Sequence, residues 1–166
     1  MKLFRFFIPV VLMLCLSLFS CSARSASTGE ILSRLMTNEI DLPAGVIYTP
    51  DAEEGETGYL SPSLAEALWG EDAEEGFGLL EDYSVYISSF ASPFEIGVFR
   101  CYSATDAIRI EQLCRGRADI VTVALRHTEY YSLCHNARIL REGDTVVFIM
   151  TSDPDRTLKL AKKLIR

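Results

Sequence analysis

Glu95-Ile-Gly-Val-Phe-Arg-Cys101 and Thr145-Val-Val-Phe-Ile-Met-Thr151 decide the fold. Each is a short run rich in β-branched and aromatic residues and bounded by turn formers, which reads as a strand. Neither shows the one-sided alternation of a half-exposed strand. Val146, Phe148 and Met150 need cover on one face, and Val147 and Ile149 need it on the other. Strands of that kind belong in the middle of a sheet with elements packed on both sides.

Each run has a hairpin partner. Tyr83 to Phe90 alternates, with Tyr83, Val85 and Ile87 opposite Ser84, Tyr86 and Ser88, and Ala91-Ser92-Pro93 turns it into the first run. Ala137–Glu142 precedes the second run through the turn Gly143-Asp144. A helix follows each hairpin. Ser103 opens one whose apolar stripe is Ala107, Ile110, Cys114, Ala118, Val121 and Leu125. Gly116 in its interior costs it roughly 1 kcal/mol, and Ile120–Leu125 taken alone would also suit a strand. Ser152-Asp153-Pro154 opens the other, with Leu158, Ala161, Leu164 and Ile165 on its apolar side. Between them Thr128 caps a short helix holding Tyr130, Leu133 and Cys134.

The expected class is α+β: an antiparallel four-stranded sheet made of two strand-strand-helix units, with both long helices on one face. The opposite face then falls to the N-terminal segment. Ser27 and Glu30 have capping-box spacing ahead of Ile31, Leu32, Leu35 and Met36, a helix over about 29–38. Val46-Ile47-Tyr48 reads as a short extended segment. Ser61-Pro62 starts a helix and Gly70 stops it, leaving Leu64, Leu68 and Trp69 to contact the sheet. Two copies of Asp-Ala-Glu-Glu-Gly, at 51–55 and 72–76, flank this helix. They match no calcium loop with ligands at alternate positions and read as solvated loops.

The chain's start carries a different signal. Lys2 and Arg5 precede a run from Phe6 to Phe19 that is apolar or small apart from Pro9 and Ser17. At about 1.5 Å per residue it is too short to cross roughly 30 Å of hydrocarbon, so it reads as a signal peptide over 1–20. Leu18-Phe19-Ser20-Cys21 resembles a bacterial lipobox. That likeness implies cleavage between Ser20 and Cys21 and a diacylglyceryl group on the Cys21 thiol, two acyl chains being what stable attachment needs. Residues 21–28 form a small polar tether, and 29–166 a single domain, divided into an acidic wrap at 29–80 and a sheet-helix core at 81–166.

Loss of Lys2 and Arg5 takes the net charge from −7 to −9. From Leu35 to Phe99 there is no Lys or Arg against fourteen Asp and Glu, whereas Arg100 to Arg166 holds twelve basic and eight acidic residues. The two halves attract each other within the fold, and an acidic chain of this kind is a poor nucleic-acid binder. On the last helix Lys159, Lys162, Lys163 and Arg166 suit either that acidic half or anionic lipid, and the internal reading is preferred.

The residues for chemistry are sparse. Cys101, Cys114 and Cys134 are too few and too odd in number for a disulfide framework. A nucleophilic thiol needs a base and partial exposure. Cys114 lies on a buried stripe, Cys101 ends a core strand, and Cys134 is adjacent to His135 and so diverges from it around a helix. No Gly-x-Ser-x-Gly, Cys-x-x-Cys or His-Glu-x-x-His occurs. The expectation is no enzyme, no metal and no cofactor. Tyrosines are numerous and suit an interface, so Tyr130, Tyr131 and Trp69 are the candidate binding residues.

Glu95-Ile96-Gly97-Val98-Phe99, the helix from Asp106-Ala107, Tyr130–Asn136, and Gly143–Phe148 with Ser152-Asp153 together resemble one family pattern. It is that of small lipoproteins from clostridial-type Gram-positive bacteria sharing a domain of unknown function, number four-three-five-eight. The resemblance covers about 80–166 plus the lipobox. It implies location and fold and carries over no catalytic residue. The expected function is a lipid-anchored extracytoplasmic module, on the outer side of the cell membrane, that binds an envelope protein or other envelope component. The alternatives are a small-molecule-binding accessory lipoprotein, marked by a large apolar pocket between sheet and wrap, or a thiol-dependent enzyme using Cys134 or Cys101.

Overall fold

The computed structural model describes residues 26–39, 42–89 and 92–166. The signal peptide, Ser20 and Cys21, and most of the tether lie outside the described residues. Six helices and five strands follow in the order α1 (Thr28–Asn38), β1 (Gly45–Tyr48), α2 (Pro62–Trp69), α3 (Ala73–Phe77), β2 (Leu80–Ser88), β3 (Glu95–Cys101), α4 (Ala104–Ala124), α5 (Tyr131–His135), β4 (Arg138–Glu142), β5 (Thr145–Met150) and α6 (Pro154–Leu164).

The sheet is antiparallel throughout, with order β1-β2-β3-β5-β4. Both predicted hairpins are present, and the two doubly apolar strands pair in the centre with Val98 opposite Val147. The count is five strands rather than four, because Gly45–Tyr48 pairs along the outer edge of β2. Gly45 is needed there, since a Cβ would lie 2.4 Å from the Tyr86 ring that crosses it. Gly97 plays the same part in β3, where Phe99 folds over it and a Cβ would meet the ring at 2.5 Å.

Two cores result. On one face Tyr86, Ile96, Val98, Val147 and Ile149 meet Ile31, Leu32 and Leu35 of α1 and Ala161 of α6. On the other, Val85, Phe99, Val146, Phe148 and Met150 meet Trp69, Ala73, Ile110 and Cys114 from α2, α3 and α4. Each face of a sheet about 4.8 Å per strand wide thus receives more than one helix of about 10 Å diameter.

The two long helices therefore lie on opposite faces, not together. The difference is one residue of linker. Cys101 and Met150 end their strands in the same core, but α4 begins after Tyr102-Ser103 and α6 only after Thr151-Ser152-Asp153. Both linkers are bends rather than extended strand, and the extra residue goes with emergence of α6 on the opposite side from α4. The Thr151 hydroxyl donates to Glu39 Oε1, just beyond α1, at 3.3 Å, and the Thr157 hydroxyl of α6 bonds the same oxygen. The N-terminal segment is divided accordingly. Its first helix shares a face with α6, while α2, with Leu64, Leu68 and Trp69, lies beside α4 rather than opposite it.

Local signals held well. Ser27 and Glu30 form the reciprocal cap of α1, at 3.2 and 3.0 Å. Ser61 caps α2 with Pro62 at its start and Gly70 at its end, and 120–124 is helical. The second acidic pentapeptide is a correction: residues 73–77 form α3, not a solvated loop, because Ala73 is fully buried against the core.

Gly97→Ala will lower stability by about 1–3 kcal/mol in urea unfolding, because the Phe99 ring is packed where the methyl would go. Gly116→Ala, with nothing within 4 Å of its would-be Cβ, will raise stability by about 0.5–1 kcal/mol.

Candidate functional site

Glu95 opens β3 with its side chain on the α4 side of the sheet, and that helix closes over it to 1 % exposure. A buried carboxylate requires a partner, and Arg117 supplies it. Arg117 Nε donates to Glu95 Oε2 at 3.0 Å and Nη2 lies 2.9 Å from the same oxygen. Its Nη1 donates to the Leu68 carbonyl at 3.0 Å, and the guanidinium carbon sits 5.7 Å from the centre of the Trp69 ring. One side chain thereby ties α4 to β3 and α2.

Among the described residues, two buried polar atoms beside this arginine have no hydrogen-bond partner: Glu95 Oε1 and Trp69 Nε1. Burial pushes the Glu95 carboxyl above the ordinary carboxylate range, outweighing the charge and hydrogen bonds of Arg117 that pull it down. Both Glu95 and Arg117 line a solvent-open cleft of about 310 Å³ between the β2–β3 turn and the last two turns of α4. Ser88, Ser92, Phe94 and Val121 complete its walls. The Ser88 hydroxyl donates to the Ser92 carbonyl, and the Ser92 hydroxyl donates back to Ser88 Oγ at 3.1 Å. Ile120 and Val123, 47 % and 66 % exposed, lie on the same turns of α4 but outside the cleft lining, with Val123 on the far side of the helix from Arg117, Val121 and Leu125.

The predicted binding residues do not assemble here. Trp69 is a core residue at 3 % exposure, packed on Phe77 with ring centroids 5.2 Å apart. It meets the site only through Arg117, because the α2 stripe that carries it faces inward. Tyr131 is exposed but stacks on His135 of its own helix, and Tyr130 is a half-buried packing residue beside the core. Sequence reasoning missed both members of the ion pair. The available signal was a charge at the head of an apolar strand and an arginine placed between Cys114 and Ala118 on a buried stripe.

The thiols stay apart from this site's polar atoms in character. Cys101, Cys114 and Cys134 are free and buried. Burial, then Asp106 and Asp144, push Cys101 up to about 11. Burial also raises Cys114 well above its ordinary value and Cys134 above its own. His127 and His135 are both exposed. Among the described residues no group of three His, Cys, Asp or Glu side chains could hold a metal ion.

Comparison with family models, with curated proteins and with solved structures gave no match. The site is read from its geometry alone.

Thiol labelling at neutral pH will leave Cys101, Cys114 and Cys134 unmodified until denaturant is added, since thiols with raised pKa values carry little thiolate. Rapid labelling of any of them in the native protein would contradict this burial. For the ion pair, Arg117→Met will cost about 3–5 kcal/mol, because it strands Glu95. Joining it to Glu95→Leu will recover most of that loss. The folded carboxyl keeps its proton to higher pH than the unfolded one near 4.5. Its contribution to stability therefore falls as pH rises from that value through the folded pKa and stays low above it. Urea midpoints against pH will show this fall in the native sequence and lose it in the double variant.

Proposed function

We propose that the protein is a lipid-anchored, extracytoplasmic, non-enzymatic binding module that holds a segment of an envelope protein in the Glu95–Arg117 cleft. The observation that carries this reading is the buried Glu95–Arg117 pair in the wall of an open cleft, with the second Glu95 oxygen unpartnered among the described residues behind it. An acceptor left bare in a folded interior costs about 1–3 kcal/mol, and a ligand N–H removes that cost once the side chain, at 1 % exposure, turns toward the cleft. The cleft is open to solvent and lined by both apolar and polar side chains, Ile87, Phe94, Val121 and Leu125 beside Ser88, Ser92 and Arg117, which suits a chain segment. The space between sheet and wrap, where a large apolar ligand would have gone, is filled by Trp69, Phe77, Tyr83 and Phe99 in edge and tilted contacts. The raised thiols weigh against the thiol-enzyme alternative.

The anchor is the Cys21 diacylglyceryl group, which places the domain on the outer side of the cell membrane. Metabolic labelling with a fatty acid will mark the native chain, and Cys21→Ser will abolish both label and membrane retention. Label retained in that variant would end the anchor reading. For the partner, a photo-crosslinking residue at Ser92 in intact cells will capture a discrete envelope protein. The same residue at Glu74, exposed on α3, will not, and Val121→Trp, which fills the cleft, will erase the Ser92 adduct. Identical adducts from both positions, or lipid alone, would overturn the cleft as the binding site.

A further inference from the structure

We infer that the outer stripe of α6 rests on anionic lipid headgroups and holds the cleft away from the membrane. Lys159, Lys162 and Lys163 lie three and four residues apart and share one face of that helix, and Arg166 follows two residues beyond its end. All four are exposed, opposite the buried Thr157 and Ala161. No acidic residue follows Asp155 in the chain. The acidic half does not neutralise this stripe: among the described residues the ion pairs all use arginine, and only Arg166 of the four is paired, to Glu142 at 3.2 Å. Lys159, Lys162 and Lys163 thus have no ion-pair partner among the described residues, while Glu81, Glu142 and Asp144 line the depression beside Arg166.

The second observation is where the chain leaves the domain. Ala26 packs in the same core as Leu164 and Ile165 and shares a surface depression with them and with Arg166. Its carbonyl is held by Arg100 Nη2 at 2.6 Å. Four residues separate Ala26 from Cys21, a span of five steps with a reach of at most about 18 Å. The tether is therefore short enough to let the last turn of α6 come within one Debye length of the bilayer, where its charges are drawn to an anionic surface. The Glu95 end of β3 lies about 20 Å along the strand from the Cys101 end, beside which the chain leaves. The cleft also opens on the α4 face of the sheet, opposite α6, so lipid against the stripe leaves it on the far side.

This inference rests on the Cys21 anchor, and the test separates the two. The full-length lipidated protein is reconstituted into vesicles of phosphatidylcholine alone and of phosphatidylcholine with phosphatidylglycerol. Flotation reports the anchor, and the rate of lysine acylation by a water-soluble reagent, read by mass spectrometry, reports the stripe. We expect flotation with both vesicles. Acylation of Lys162 and Lys163 should slow by about fivefold or more only where phosphatidylglycerol is present, with the protection lost at high salt. Flotation with equal acylation in the two vesicles would overturn the stripe while sparing the anchor. Failure to float with neutral vesicles would overturn both.

Discussion

The pairing of β3 with β5 is the constraint on which the rest depends. Ile96 and Val98 face one core with Ile149 and Val147, while Phe99 faces the other with Val146 and Phe148. A sheet whose two central strands are apolar on both sides exposes hydrocarbon until each face is covered. The domain is therefore obliged to have three layers. The helices α1 and α6 form one outer layer, and α2, α3, α4 and α5 form the other. Such covering is the main source of stability in a domain of this size. It also fixes the fate of any polar group that the central strands carry.

Glu95 is that group. Its place at the head of β3 puts a carboxylate under α4, where water is excluded. Arg117 keeps it tolerable, yet a buried ion pair rarely improves on apolar residues of the same shape, because desolvation cancels most of the Coulomb gain. Stability alone is thus a weak reason for these two residues. The Nε–H bond and the Nη2 contact both fall on one carboxylate oxygen, and the other is buried without a partner among the described residues. An arrangement aimed only at fixing α4 to the sheet would use both oxygens in a side-on pair.

What was legible in the sequence was local. The hairpins, the Ser27 and Ser61 caps, the Gly70 stop and the helix through residue 124 depend on residues a few positions apart, and each was found. What failed depends on distance or parity. β1 has only four residues and no strong pattern, and its partner lies some forty residues on, so pairing rather than propensity makes it a strand. The faces of α4 and α6 hang on one linker residue, which no periodicity within either helix records. The site failed for the same reason, as Glu95 and Arg117 meet only after α4 has docked.

Strand direction then links the domain's two ends. β3 begins at the cleft, with Glu95, and ends beside the point where the tether leaves, with Arg100 holding Ala26. β5 runs the other way and delivers α6 from the cleft end back to the tether end, so the basic stripe finishes where the chain departs. α1 runs against α6, from Thr28 near the tether to Glu39 beside Thr151. Antiparallel topology thus places positive charge and attachment point together, and places the unpaired carboxylate oxygen at the far end. Had α6 emerged on the α4 face, as two equal strand-strand-helix units would require, its basic stripe would lie on the same side of the sheet as the cleft. The one extra linker residue after β5 separates the two surfaces.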